Sequence, residues 1–154
     1  MKLTAKQVNT FNMLKLPAAY FTGVRCKSIT DTTCVTSVRH AWKNQNPFKS
    51  IFWAVQGMAA ELATGALVMG KIRESRESIS MLVANNKAGF HKKATGKIQF
   101  TCDQGKAIDE AITQTVKTGE GQTVWLDARG YNEEGVLVSA FSFEWTVKVR
   151  RKKV

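Results

Sequence analysis

The stretch IFWAVQGMAAELATGALVMG, residues 51–70, decides the fold. Its twenty residues contain no lysine or arginine, and only Gln56, Glu61 and Thr64 are clearly polar. That length would let a helix cross a bilayer. A glutamate in the middle argues against it, at a cost of about 2.5–3.5 kcal/mol or more in lipid. No second such stretch exists, and the downstream sequence alternates as sheet. A helix that is apolar on nearly every side is one enclosed by protein. The expectation is therefore a long central helix over 51–70, and no membrane span.

Downstream the apolar period changes from helical to two. Strands are predicted over Ser78–Asn86, Ala94–Asp103, Gly121–Gly130 and Gly135–Arg150. In the last, Leu137, Phe141, Phe143, Trp145, Val147 and Val149 share one face. Tyr131-Asn-Glu-Glu-Gly135 makes a hairpin of the final two. Ala107, Ile108, Ala111 and Ile112 place a short helix over Lys106–Val116, capped by Asp103 or the residue after it. Upstream, Gly23–Ile29 and Thr33–Arg39 form a hairpin about Thr30-Asp31-Thr32. Before them, Thr4 and Gln7 have capping-box spacing for a helix within residues 1–16, and Pro17 opens a loop. His40–Pro47 reads as irregular.

The class is α+β: about six antiparallel strands curved around one long helix, in a single domain over 1–154. A sheet of this kind leaves a free edge, so a homodimer or a dimer of dimers is expected.

This order resembles the hotdog fold. The local pattern is similar to the phenylacetate-pathway type of acyl-CoA thioesterase and a related uncharacterised branch. There an Asn or Gln precedes the helix, His-Gly-Gly begins it, and an acid lies within it fifteen residues after the Asn. Asn46 and Glu61 have that separation. The turn Asp127–Gly135 and the strand after it also resemble the family's closing hairpin. Counting back from Glu61, the His-Gly-Gly positions hold Phe52, Trp53 and Ala54, a departure from the pattern.

The resemblance implies hydrolysis of an acyl-CoA or other acyl thioester, with no cofactor. Glu61 would be base or nucleophile. The Trp53 backbone N–H would hold the developing oxyanion, and Asn46 would orient water or carbonyl. A backbone donor survives any side chain, but two aromatic rings reshape the pocket. Residues 53 and 61 stand about 12 Å apart along one helix. One site would thus combine Trp53 of one subunit with Glu61 of its partner, as in the family.

Other readings stay open at these positions. Glu61 is alternatively a buried acid, neutralised by burial or bonded to Gln56, Thr64 or a strand. Asn46 on residue type is a turn residue before Pro47. Phe52, Gln56, Thr64 and Gly65 are candidates to line the substrate pocket. Gly57 and Gly65 would by default pack helices closely across a dimer. Ser50 is a helix N-cap rather than a nucleophile. His91-Lys92-Lys93 is a solvated turn, or with Arg150 and Arg151 a contact for nucleotide phosphates. The alternative function is a non-catalytic acyl or lipid binder, which Phe52 and Trp53 favour.

The composition is that of a folded protein, 44% hydrophobic and 23% charged. The N-terminus lacks a signal-peptide pattern, and Cys26, Cys34 and Cys102 fall in strands, so buried thiols and a cytoplasmic setting are expected. These cysteines with His40 and His91 lack metal-ligand spacing, so no metal is expected. The net charge of +11 is unusual. It suits nucleic acid, a membrane surface or a phosphorylated small molecule. No nucleic-acid-binding motif accompanies it, which argues against nucleic acid as a partner. Residues 148–154 read as a basic tail.

Overall fold

In the computed structural model, which describes residues 2–151, the chain runs α1 (Ala5–Lys15), α2 (Pro17–Phe21), β1 (Arg25–Ile29), β2 (Cys34–Arg39), a 3-10 turn (Trp42–Asn44), α3 (Trp53–Ser75), β3 (Ile79–Phe90), β4 (Lys97–Cys102), α4 (Gly105–Thr118), β5 (Gln122–Tyr131) and β6 (Leu137–Val149). The six strands form one antiparallel sheet in the order β1-β2-β4-β5-β6-β3. The sheet curves around α3, which packs on β1, β2, β4, β5 and β6. This is the curved sheet around one helix that the apolar helix and alternating strands predict, and the hotdog arrangement that the resemblance implies. No helix among the described residues is long and apolar enough to cross a membrane.

The core follows from the two periodicities. Phe141, Phe143, Trp145 and Val147 of β6 alternate inward, Phe141 beside Gly57 of α3 and Trp145 beside Thr64 and Gly65, while Val55, Ala59, Ala66 and Leu67 of α3 are buried as well. Phe100, Ile98 and Leu126 complete the apolar layer from β4 and β5. Cys26, Cys34 and Cys102 are buried and unbridged, with the Sγ atoms of Cys26 and Cys34 3.9 Å apart. The Thr4 capping box is formed: Thr4 accepts from the Gln7 N–H, and Gln7 accepts from the Thr4 N–H.

Several boundaries depart from the sequence reading. Pro17 opens helix α2 rather than a loop, because its fixed φ suits the first helical position. The central helix starts at Trp53, not Ile51, so Ser50 is not its N-cap. Ile51 bridges Gln45 and donates its N–H to the Ala94 carbonyl, and Phe52 donates to the Asn44 carbonyl. These bonds hold the chain extended through Phe52. At its other end α3 continues to Ser75, since Lys71 lies buried against Asp109 (2.9 Å) and Glu74 (3.8 Å).

Strand β3 runs four residues past Asn86, paired throughout with β6. As an edge strand it tolerates Lys87 and Gly89, which a central strand would not favour. The basic tail begins later than residue 148: Lys148 and Val149 belong to β6, Arg150 donates its N–H to the Ser78 carbonyl, and Arg151 donates to the Thr118 carbonyl. Residues 152–154 lie outside the described chain.

Helix α4 is caught against the β1–β2 turn. A Cβ on Gly105 would collide with the Asp31 carbonyl oxygen and lie 2.6 Å from the Thr32 Cα. Both obstacles are backbone, so neither can swing aside. Gly105→Ala is expected to destabilise the fold by about 3 kcal/mol, read as a lowered urea midpoint. A midpoint equal to that of the parent protein would show that α4 docks otherwise.

Candidate functional site

The extended segment before α3 creates the site's first feature. Because the chain enters the helix directly from Phe52, no side chain caps the N-terminus. The Val55 and Gln56 N–H groups turn back to the Phe52 carbonyl. The Trp53 and Ala54 N–H groups have no partner among the described residues. Uncapped donors at the positive end of a 23-residue helix favour an anion or a developing oxyanion.

An open groove of about 550 Å³ lies at this helix end, lined by Asn46, Phe48, Phe52, Trp53, Gln56 and Phe90, with His91–Ala94 along one side. Phe52 and Trp53, in edge-to-face contact at 6.0 Å, stay 45% and 57% exposed. The rings line the groove without filling it.

Four expected site residues, Asn46, Phe52, Trp53 and Gln56, are thus brought together around the groove, and the side-chain bonds of Asn46 and Gln56 say what those two do. Asn46 Oδ1 accepts from the Phe48 and Ser50 N–H groups, and its Nδ2 donates to Ser50 Oγ. Its carboxamide builds the 46–50 turn that presents the helix end, with one amide hydrogen left over. Gln56 is buried. Its Nε2 donates to the Ile51 carbonyl and its Oε1 accepts from Ser139 Oγ at 2.8 Å, tying α3 to β6.

Glu61 sits two turns further along α3, outside this groove. Its carboxylate makes no hydrogen bond or ion pair with any described residue, so neither the Gln56 nor the Thr64 side chain satisfies it. Burial raises its pKa above the usual carboxylate range. Oε1 lies 3.4 Å from the position a Gly65 Cβ would take, and the Trp145 ring lies 3.0 Å from it. Gly65 therefore makes room for its own chain's Trp145 beside Glu61. Gly57 likewise abuts Phe141 at 3.3 Å. Both helix glycines make room for aromatic rings of their own chain. Thr64 is fully buried, donating to the Glu61 carbonyl and accepting from Trp145 Nε1, each at 2.9 Å. It positions the helix and ring next to Glu61 and offers no free hydroxyl to substrate.

The matching family model is that of a domain of unknown function, DUF4442, and the match spans residues 5–147. The chain belongs to the DUF4442 family. Among solved structures, this DUF4442 protein is similar to a Pseudomonas aeruginosa protein of unknown function described as a probable thioesterase (TM-score 0.85, 18% identity, 97% of this chain and 99% of that one). It is similar as well to a mutant form of a second P. aeruginosa protein, a thioesterase (0.73, 12%, 97% of each chain). A third is a Haemophilus influenzae thioesterase (0.69, 11%, 97% and 93%). At such identities the likeness shows the fold alone, the hotdog arrangement. No curated protein matches the chain.

Ser139 and Phe90 escaped the sequence, as did the position of His91–Lys93. Ser139 is a small polar residue in an apolar strand, and its burial against Gln56 needed the sheet register. Phe90 and His91–Lys93 reach the groove only because β3 is longer than its pattern suggested. The His-Lys-Lys run itself was visible, but its place was not.

Proposed function

We propose that this DUF4442 protein is an acyl-CoA thioesterase of the phenylacetate-pathway type, acting in the cytoplasm as a homodimer or a dimer of dimers. The observation that carries the reading is a desolvated, unpaired Glu61 on the same helix as an uncapped N-terminus that opens into a groove. In this scheme Glu61 takes a proton from water, whose oxygen adds to the thioester carbonyl, and passes that proton to the leaving sulfur. Alternatively its carboxylate attacks the carbonyl itself, and water hydrolyses the acyl anhydride formed on Glu61 and supplies the sulfur's proton. The Trp53 N–H holds the oxyanion, the C–S bond breaks, and the thiolate leaves with a proton as free thiol.

The two groups stand about 12 Å apart along the helix and so serve one carbonyl only across a subunit boundary. The sheet edge supports such a boundary. Strand β3 is terminal, pairs on one side only and exposes Leu82 and Phe90. Its Val83 end lies opposite Trp145, beside Glu61, and its Phe90 end borders the groove at Trp53. A two-fold axis through the β3 edge near Asn86 would exchange these ends. Trp53 of one subunit would then face Glu61 of the partner subunit. Asn46 steadies the turn at the helix end and lends its spare amide hydrogen to the carbonyl or water.

A panel of short, long and aryl acyl-CoAs tests the reading, with free thiol released as the signal. Turnover of at least one chain class is expected. The second reading, a non-catalytic acyl binder, draws on Phe52 and Trp53 standing where the thioesterases that the sequence resembles have His and Gly. It predicts thermal stabilisation by acyl ligands with no thiol release from any of them.

A further inference from the structure

Of the net charge of +11, residues 1–60 supply seven. Residues 1–60 hold eight Lys and Arg against one acid, Asp31, and Lys2 pairs that acid at 2.6 Å. The same part of the chain carries several strongly exposed apolar side chains. From Met13 to Ala18, across the α1–α2 junction, every residue is exposed. Leu14 is 66% exposed and Phe21 68%. The 3-10 turn packs beside them: Asn44 donates to the Thr22 carbonyl, and the Lys43 ammonium lies 5.6 Å from the Phe21 ring centroid. That turn bears Trp42, 84% exposed. Lys6, Lys15 and Lys43 are exposed among these side chains, and α1, α2 and the turn contain no acid.

We propose that α1, α2 and the Trp42 turn form a docking surface for an anionic lipid bilayer. Leu14, Phe21 and Trp42 would enter the headgroup boundary, where an indole is favoured, while the lysines stay at the level of the lipid phosphates. The charge selects this occupant. A second copy would bring the same lysines against one another with no acid to offset them. The surface adjoins β1, at the opposite edge of the sheet from β3, so the proposed dimer leaves it free. It is also joined to the groove, since Asn44 accepts from the Phe52 N–H at the entry to α3. An acyl substrate could therefore reach the groove from the lipid phase. The docking proposal stands whether the groove hydrolyses its ligand or only holds it.

Sedimentation of the full chain with vesicles tests it, using phosphatidylcholine alone and phosphatidylcholine with phosphatidylglycerol. Binding is expected only with phosphatidylglycerol present, and it should weaken as salt rises. Leu14→Glu with Phe21→Glu, and separately Lys15→Glu with Lys43→Glu, should each lower the bound fraction by roughly tenfold. Both variants should keep the parent's oligomeric state and its handling of soluble acyl-CoA. No sedimentation with anionic vesicles would overturn the proposal and leave an acidic protein as the partner to seek. Equal binding to neutral vesicles, or variants that bind as the parent does, would overturn it too. So would a change of oligomeric state in Leu14→Glu with Phe21→Glu, which would mean that a second copy covers this face.

Discussion

Replacing Glu61 by Gln should abolish thioester hydrolysis while making the protein more stable at neutral pH. The loss of turnover, about a thousandfold, follows from removing the group that activates water or attacks the carbonyl. The gain in stability follows from burial. Folding raises the Glu61 pKa because the charged form is desolvated and finds no partner. Between the ordinary carboxylate pKa and this raised value, the native state holds a proton that the unfolded state has lost. Stability contributed by the protonated acid is complete below that window, falls as pH rises through it, and is missing above it. Glutamine stays neutral and lacks this penalty. The melting temperature of Glu61→Gln should exceed the parent's at neutral pH, and the difference should shrink to nothing in acid. A variant less stable at neutral pH would mean that the carboxylate has a structural partner. The residual turnover of the variant should also lose the pH limb that Glu61 gives the parent.

The Trp53 N–H can be removed almost alone. Trp53 is the first helical residue, a position where proline is tolerated and no intrahelical bond is lost. Phe52 already has the extended backbone that proline imposes on its predecessor, with φ −57 and ψ 135. Trp53→Pro should therefore preserve the fold and lower turnover about a hundredfold, as expected for one lost oxyanion donor. Trp53→Ala keeps the donor and loses only the ring. It should retain turnover, with its effect confined to acyl-chain preference. If alanine is as damaging as proline, the ring is what matters and the backbone donor is not.

How far this was legible from sequence depends on whether the deciding forces were local. The central helix and β6 were clear because their apolar periods extend over many residues and bury one face. The start of α3 was not, since Ile51 and Phe52 are held extended by Gln45, Asn44 and Ala94, all contacts outside the helix. That tertiary override moved the N-terminus from a predicted Ser50 cap to an uncapped Trp53. It also left the donors on which the proposed chemistry depends. The spacing of Asn46 and Glu61 singled out both residues, yet residue type alone foretold the turn-building bonds that Asn46 makes. Thr64 and Gly65 are read from the sequence as candidates to line the substrate pocket. Only the sheet register showed that Trp145 occupies the space they border. Strand β3 was cut short because Asn, Lys and Gly weaken the strand pattern, although an edge position permits them.

The central claim is that one active site takes its oxyanion donor from one subunit and its acid from the other. Mixing Glu61→Gln with Trp53→Pro in equal amounts, under conditions that exchange subunits, tests it directly. Half the dimers formed are then mixed, and each mixed dimer has one intact site. Turnover is predicted to rise from the low level of either variant to roughly a quarter of the parent's. If Glu61 and Trp53 instead act within one subunit, no mixed dimer contains an intact site. Turnover that stays at the level of the separate variants would contradict the account.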